Sequence, residues 1–107
     1  MSDEINIVLC CSAGMSTSLV VENMKKAADE KGINAKIKAV PVSSLEEING
    51  KEHIDAIMLG PQVRFKLNEL KNIYKEQNTF VDVINMVDYG MINGEKILND
   101  IIASCKN

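Results

Sequence analysis

The stretch EINIVLCCSAGMSTS, residues 4–18, decides the fold. Its first part, EINIVLC at 4–10, is a short apolar run ending in turn residues, the pattern of a strand buried on both faces. The remainder is a string of small and hydroxyl residues, in which Ser16 is a suitable helix cap. From there Val20, Met24, Ala27, Ala28 and Lys31 recur at helical spacing until Gly32 stops the pattern. A buried strand that passes through a tight loop into a helix is the opening unit of a parallel α/β sheet.

The rest of the chain repeats that alternation. NAKIKAV at 34–40 alternates polar and apolar residues and reads as a half-exposed edge strand closed by Pro41. A short helix follows from Ser44, with Ser44 and Glu47 spaced as a capping box. IDAIML at 54–59 is a third strand, and GPQ at 60–62 leads into a helix with Pro61 at its first position. Val63, Leu67, Leu70 and Tyr74 form the buried stripe of that helix. FVDVI at 80–84 is a fourth strand, followed by a loop containing Asp88, Tyr89 and Gly90. The last helix, 94–105, carries Ile97, Leu98, Ile101, Ile102 and Cys105 on one face.

Strands alternating with helices imply right-handed crossovers and a parallel sheet covered on both sides. The expected architecture is a three-layer α/β sandwich with a four-stranded parallel sheet. With a flavodoxin-like start its order is 2-1-3-4. Ligands of such sheets bind beyond the carboxyl ends of the strands, where the winding direction switches. The loops beginning near Cys11, Gly60 and Asn85 converge there.

Composition bounds the function. The 107 residues suit a single domain, 1–107, able to bury a core without disulfides. A net charge of -3 gives no basic stripe for nucleic acid. No apolar run reaches the roughly 18 residues needed to span a bilayer, and the start lacks the features of a signal peptide. A cytoplasmic protein is expected. Cys10, Cys11 and Cys105 form no even framework. Two adjacent thiols and the single histidine, His53, do not supply a metal site. His53 precedes the third strand, at the amino edge and away from the expected site. No cofactor is called for.

Cys11 stands where the first strand gives way to the loop. Residues 12–18 contain no proline, so each carries an N–H, and Ala13 and Gly14 let the chain curl closely. Inward-pointing amides make an anion nest, to which the helix N-terminus adds its positive end. The same field favours the thiolate form of Cys11. Ser12, Ser16, Thr17 and Ser18 add hydroxyl donors.

The absences are equally informative. A Walker loop needs G-x-x-x-x-G-K-[ST], and this segment has one glycine and no lysine. Tyrosine phosphatases place an arginine at the end of C-x-x-x-x-x-R to hold the phosphoryl group bidentately. Counting from Cys11, that position is Thr17, and the sole arginine of the chain is Arg64. The loop is suited to holding a phosphoryl group and passing it on, rather than to hydrolysing it.

CSAGMSTS at 11–18, with LGPQ at 59–62 and DYG at 88–90, resembles the enzyme IIB component of the lactose/cellobiose/chitobiose family of the bacterial phosphotransferase system. The resemblance spans essentially the whole chain. It implies the four-stranded fold expected above and a phosphotransferase component with a phosphocysteine intermediate. It also implies that Cys11 takes a phosphoryl group from a phosphohistidine on enzyme IIA and delivers it to a sugar bound in the membrane permease, enzyme IIC. The cradle would be residues Ser12, Ala13, Gly14, Met15, Ser16, Thr17 and Ser18. Gln62 and Tyr89 lie on loops facing that cradle and are candidates for supporting or partner contacts. Phe65, which does not fit its helix's buried stripe, and Met15, at the loop tip, are candidate exposed apolar residues that touch a partner. Asp88 is read as structural. Two alternatives stand beside the carrier: a low-molecular-weight cysteine phosphatase, and a regulatory module that uses the phosphocysteine as a signal. The free chain is expected to be a monomer.

Overall fold

The computed structural model describes residues 4–11 and 15–105, and of residues 15 and 16 the backbone alone. The elements run β1 (Ile5–Cys11), α1 (Met15–Lys31), β2 (Ala35–Pro41), a 3-10 turn (Val42–Ser44) and α2 (Leu45–Asn49). They continue with β3 (Ala56–Leu59), a 3-10 segment (Pro61–Lys66), α3 (Leu67–Tyr74), β4 (Phe80–Val83), α4 (Met86–Gly90) and α5 (Gly94–Cys105). All strand pairs are parallel, as the alternation predicts, and the order is β2-β1-β3-β4, as expected for a flavodoxin-like start.

β1 is central and fully covered. Ile7, Val8, Leu9 and Cys10 are inaccessible to solvent, which explains a run with no polar alternation. Successive side chains point to opposite faces. Ile7 and Leu9 pack with Val20, Met24 and Ala28 of α1 and with Ile97, Leu98 and Ile101 of α5. Val8 and Cys10 pack on the other side with Leu45 of α2, Val63, and Leu70 and Tyr74 of α3. Three layers follow from this one strand.

Several boundaries differ from expectation for identifiable reasons. β1 extends one residue further, because Cys11 pairs in register with Pro41; a proline is tolerated in β2 because that strand is an edge. α1 begins at Met15, so Ser16 lies inside its first turn and is not the cap. Ser44 does not cap α2 through its side chain. Its backbone is already helical, φ -91° and ψ -3°, as the preceding 3-10 turn delivers it, whereas a capping residue needs extended backbone. Pro61 does open the segment after β3, but that segment is 3-10 through Lys66, with a kink at Val63, before α3 begins. The region expected as a loop around Asp88 is a helical turn, α4. Asn85 caps it, its Oδ1 accepting from Val87 N at 2.9 Å and Asp88 N at 3.1 Å.

At the amino edge of the sheet a polar cluster ties three segments. Asn6 Nδ2 donates to Glu52 Oε1 at 2.9 Å and to the His53 carbonyl at 2.8 Å. Lys36 and Lys38 of β2 donate to the two oxygens of Glu52 at 2.9 and 3.0 Å. His53 sits at this edge, away from Cys11, as expected. The hydrogen bonds from Lys36, Lys38 and Asn6 hold the Glu52 carboxyl down to about 2. A depressed carboxyl contributes stability that is present above its unfolded pKa, about 4.3, and lost as pH falls toward 2. Glu52→Gln is therefore expected to lower the urea midpoint at pH 7, with the difference from the parent shrinking steadily between about pH 4.3 and pH 2. A pH-independent difference would show that the charge plays no part.

Candidate functional site

The carboxyl ends of β1, β3 and β4 meet at one edge. Cys11 ends β1 there, 3% exposed, with its thiol directed at the Val40 carbonyl of β2 at 3.9 Å. Alternation along β1 places it on the α1 side of the sheet, while Cys10 faces the α3 layer. Burial, with the neighbouring Cys11 charge adding to it, pushes the Cys10 thiol up to about 12. Cys10 is thus a protonated core residue at neutral pH. Burial likewise raises the Cys105 thiol, which donates to the Asp55 carbonyl at 3.9 Å at the far end of the sheet. Of three cysteines, one stands at the carboxyl edge with its side chain on the helix α1 side.

Gly60 makes the convergence possible. Its N–H donates to the Cys10 carbonyl at 2.8 Å. A Cβ at that position would stand 3.3 Å from both Cys10 O and Gln62 Oε1 and 3.9 Å from Tyr89 Cε1. The absent side chain lets the segment after β3 lie close against the end of β1, with Gln62 and Tyr89 both near Gly60. Gln62 is exposed and Tyr89 partly buried.

Tyr89 does more than line the edge. Its hydroxyl lies 3.1 Å from Thr17 Oγ1, and Thr17 is wholly buried in the first turn of α1. A second tie lies further along, where Asn23 Nδ2 donates to the Ile92 carbonyl at 2.8 Å. α4 is braced in turn against α5, since the buried Asp88 carboxylate accepts from Lys96 Nζ at 3.1 Å. The position that would hold arginine in a phosphatase loop is thus a buried hydroxyl, hydrogen-bonded to Tyr89 of α4.

Of the cradle residues expected from sequence, Ser12, Ala13 and Gly14 lie outside the described residues, as do the side chains of Met15 and Ser16. Thr17 is turned inward to Tyr89, and Ser18 is exposed. Sequence reasoning missed the Thr17–Tyr89 pair, whose members are 72 residues apart, and the cap at Asn85 that orients Tyr89. The latter did have a signal: an asparagine three residues before an aspartate, directly after a strand. Phe65 is exposed, as its misfit to the stripe suggests. Met86, Val87 and Met91 are also exposed and were not singled out. Among the described residues no helix is long and apolar enough to cross a membrane.

The Thr17–Tyr89 bond makes a direct prediction. Tyr89→Phe removes the bond and leaves an unpaired buried hydroxyl on Thr17, a loss of about 1–3 kcal/mol, whereas Tyr89→Phe combined with Thr17→Val removes both polar partners and recovers part of it. Urea unfolding of the two single variants and the double variant checks this; strict additivity would mean that the two hydroxyls are not coupled.

Fold and site together define a doubly wound α/β domain with a cysteine at the carboxyl edge of its first strand, next to the amino end of the first helix. Residues 6–100 match the family model for "PTS system, Lactose/Cellobiose specific IIB subunit", and the chain belongs to this family of sugar-specific phosphotransferase components. It is 41% identical over 101 residues to the galactose-specific EIIB component of Lactococcus lactis subsp. cremoris, covering 92% of this chain and 93% of that one. It is 40% identical to the oligo-beta-mannoside-specific EIIB component of Bacillus subtilis, over 94% and 96% of the two chains. The solution structure of a cellobiose-specific IIB component from Borrelia burgdorferi superposes with a TM-score of 0.77 at 40% identity, covering 98% of this chain and 94% of that one.

Proposed function

We propose that Cys11 is the phosphoryl carrier of a cytoplasmic sugar-phosphotransferase component, loaded by a phosphohistidine on enzyme IIA and unloaded to a sugar bound in the membrane enzyme IIC. In the first step Cys11 Sγ, as thiolate, attacks phosphorus; the S–P bond forms, the P–N bond breaks, and the imidazole leaves. In the second a sugar hydroxyl attacks phosphorus, the S–P bond breaks, the thiolate returns, and the hydroxyl proton passes to solvent. Residues 12–18 supply the amides and the hydroxyls of Ser12, Ser16 and Ser18 around the phosphoryl oxygens, with the positive end of α1 behind them. Gln62 and Tyr89 flank the edge, Tyr89 holding the first turn of α1 through Thr17.

The observation that carries this is the separation of the two thiols. Cys11 lies at the edge where the helix dipole acts, and Cys10 is locked as a neutral thiol in the opposite layer. Thr17, buried and bonded to Tyr89, favours transfer over hydrolysis, because no guanidinium is available at that position to stabilise water attack. Relatives of nearly equal identity are named for galactose and for oligo-beta-mannosides, which fits a carrier whose sugar is chosen by the permease.

Intact-mass measurement after incubation with phosphorylated IIA is the test. One phosphate, mapped to Cys11, is expected, without turnover of p-nitrophenyl phosphate. Steady hydrolysis of that ester would support a phosphatase instead, and no labelling would end the carrier reading.

A further inference from the structure

Six large apolar side chains are exposed among the described residues, and four of them, Phe65, Met86, Val87 and Met91, lie on the two segments that follow β3 and β4. These four are between 61% and 74% exposed. Phe65 and Met86 share a shallow depression with Pro61, Gln62 and Arg64, which joins the two segments into one surface. It is continuous with the Cys11 edge: Gly60, which opens the first segment, is bonded to the end of β1, and Tyr89 of the second reaches Thr17.

Arg64 adds a charge to this apolar surface. It is the only arginine of the chain, is exposed, and has no ion-pair partner among the described residues. The neighbouring Lys66, by contrast, is paired with Glu69 at 3.5 Å. An unpaired arginine flanked by an aromatic residue and a methionine is the composition of a protein-binding surface, and its planar fork suits an anionic group.

We propose that Phe65, Met86 and Arg64, with Val87 and Met91 at the rim, form the docking surface for the phosphodonor protein. This rests on the carrier function proposed above. The donor arrives with an anionic phosphoryl group, whose charge Arg64 complements, and the exposed Phe65 and Met86 call for apolar side chains opposite them. The sugar to be phosphorylated presents a neutral hydroxyl and gives no reason for a free cation here. A second copy of this chain, in a two-fold contact centred on the depression, would bring Arg64 against Arg64.

The test is the initial rate of labelling in single-turnover reactions with purified, phosphorylated IIA, whose dependence on donor concentration gives a half-saturating concentration (KM) and a maximal rate (kcat), comparing the parent with Phe65→Ser/Met86→Ser, Arg64→Gln and, as a control, Ile73→Ser, an exposed apolar residue on α3. The double variant is expected to raise KM for the donor by about tenfold or more with kcat little changed. Arg64→Gln is expected to raise KM severalfold and to flatten its salt dependence. Ile73→Ser should match the parent. Thermal melts run alongside show that each variant is folded, and a double variant that melts early is replaced by Phe65→Ala alone. Unchanged KM in the surface variants would overturn the proposal while leaving phosphorylation of the parent, and so the carrier function, intact. A defect confined to sugar-dependent unloading would assign the surface to the permease, and loss of a parent dimer in sedimentation would assign it to self-association; either overturns it. Failure of the parent to be labelled would remove the carrier function and the donor surface together.

Discussion

Cys11→Ser is expected to abolish labelling by phosphorylated IIA, a loss of at least about 1000-fold, while Cys10→Ala retains labelling within a few fold. The two residues are neighbours in sequence, but the strand that carries them alternates, and the consequences differ at every level. Cys11 stands at the carboxyl edge, and serine there offers a hydroxyl that does not ionise near neutral pH and is a far weaker nucleophile than a thiolate. Cys10 fills the layer with Val8, Tyr74 and Leu70, and its thiol stays protonated because burial pushes it up to about 12. Losing its sulfur removes packing only, about 1 kcal/mol, comparable to removing one methyl group from a core. Cys10→Ser is harsher because it buries an extra hydroxyl, so the alanine variant is the cleaner control. Intact-mass spectra with peptide mapping decide the matter; labelling that follows Cys10 and ignores Cys11 would overturn the assignment.

The second large effect is structural. Gly94→Ala places a Cβ 2.5 Å from the Met24 amide nitrogen and 2.6 Å from the Asn23 carbonyl carbon. Both atoms are helix backbone and cannot rotate away, so α5 must shift off α1 and disturb the contacts of Leu98 and Met24 in the larger core. Overpacking costs commonly reach about 3 kcal/mol, which for a domain of this size corresponds to a melting temperature lower by roughly 10 °C or more. Gly90→Ala is the matched control, since a Cβ there meets nothing within 4 Å. Equal melting temperatures for the two variants would mean that the helix crossing yields more easily than its backbone contact implies.

Much of this architecture is legible in the chain because it rests on local pattern. The unbroken apolar run of β1 and the stripe Ile97, Leu98 and Ile101 follow from periodicity and composition, the parallel sheet follows from the alternation of elements, and its order from a flavodoxin-like start. What escapes is either too short to have a period or joins distant residues. α4 has five residues, less than two turns, so no stripe can announce it. The kink at Val63, φ -117° and ψ 20°, leaves the spacing of Leu67 and Leu70 intact and is invisible to a pattern. The Thr17–Tyr89 bond and the close approach at Gly94 are products of packing. At the carboxyl edge, the position of Cys11 at the end of β1 was legible, whereas the inward turn of Thr17 was not.

The alternation of β1 also decides what oxidation can do to this protein. A disulfide requires Cβ atoms roughly 3.8 Å apart and turned toward each other, and Cys10 and Cys11 project to opposite faces of a central strand that pairs with β2 through Cys11 and with β3 through Cys10. Closing that bond would mean pulling β1 out of its ladder with β2 and β3. The two adjacent thiols are therefore held apart by the sheet itself, and an oxidant that reaches Cys11 leaves a sulfenic acid that Cys10 cannot resolve.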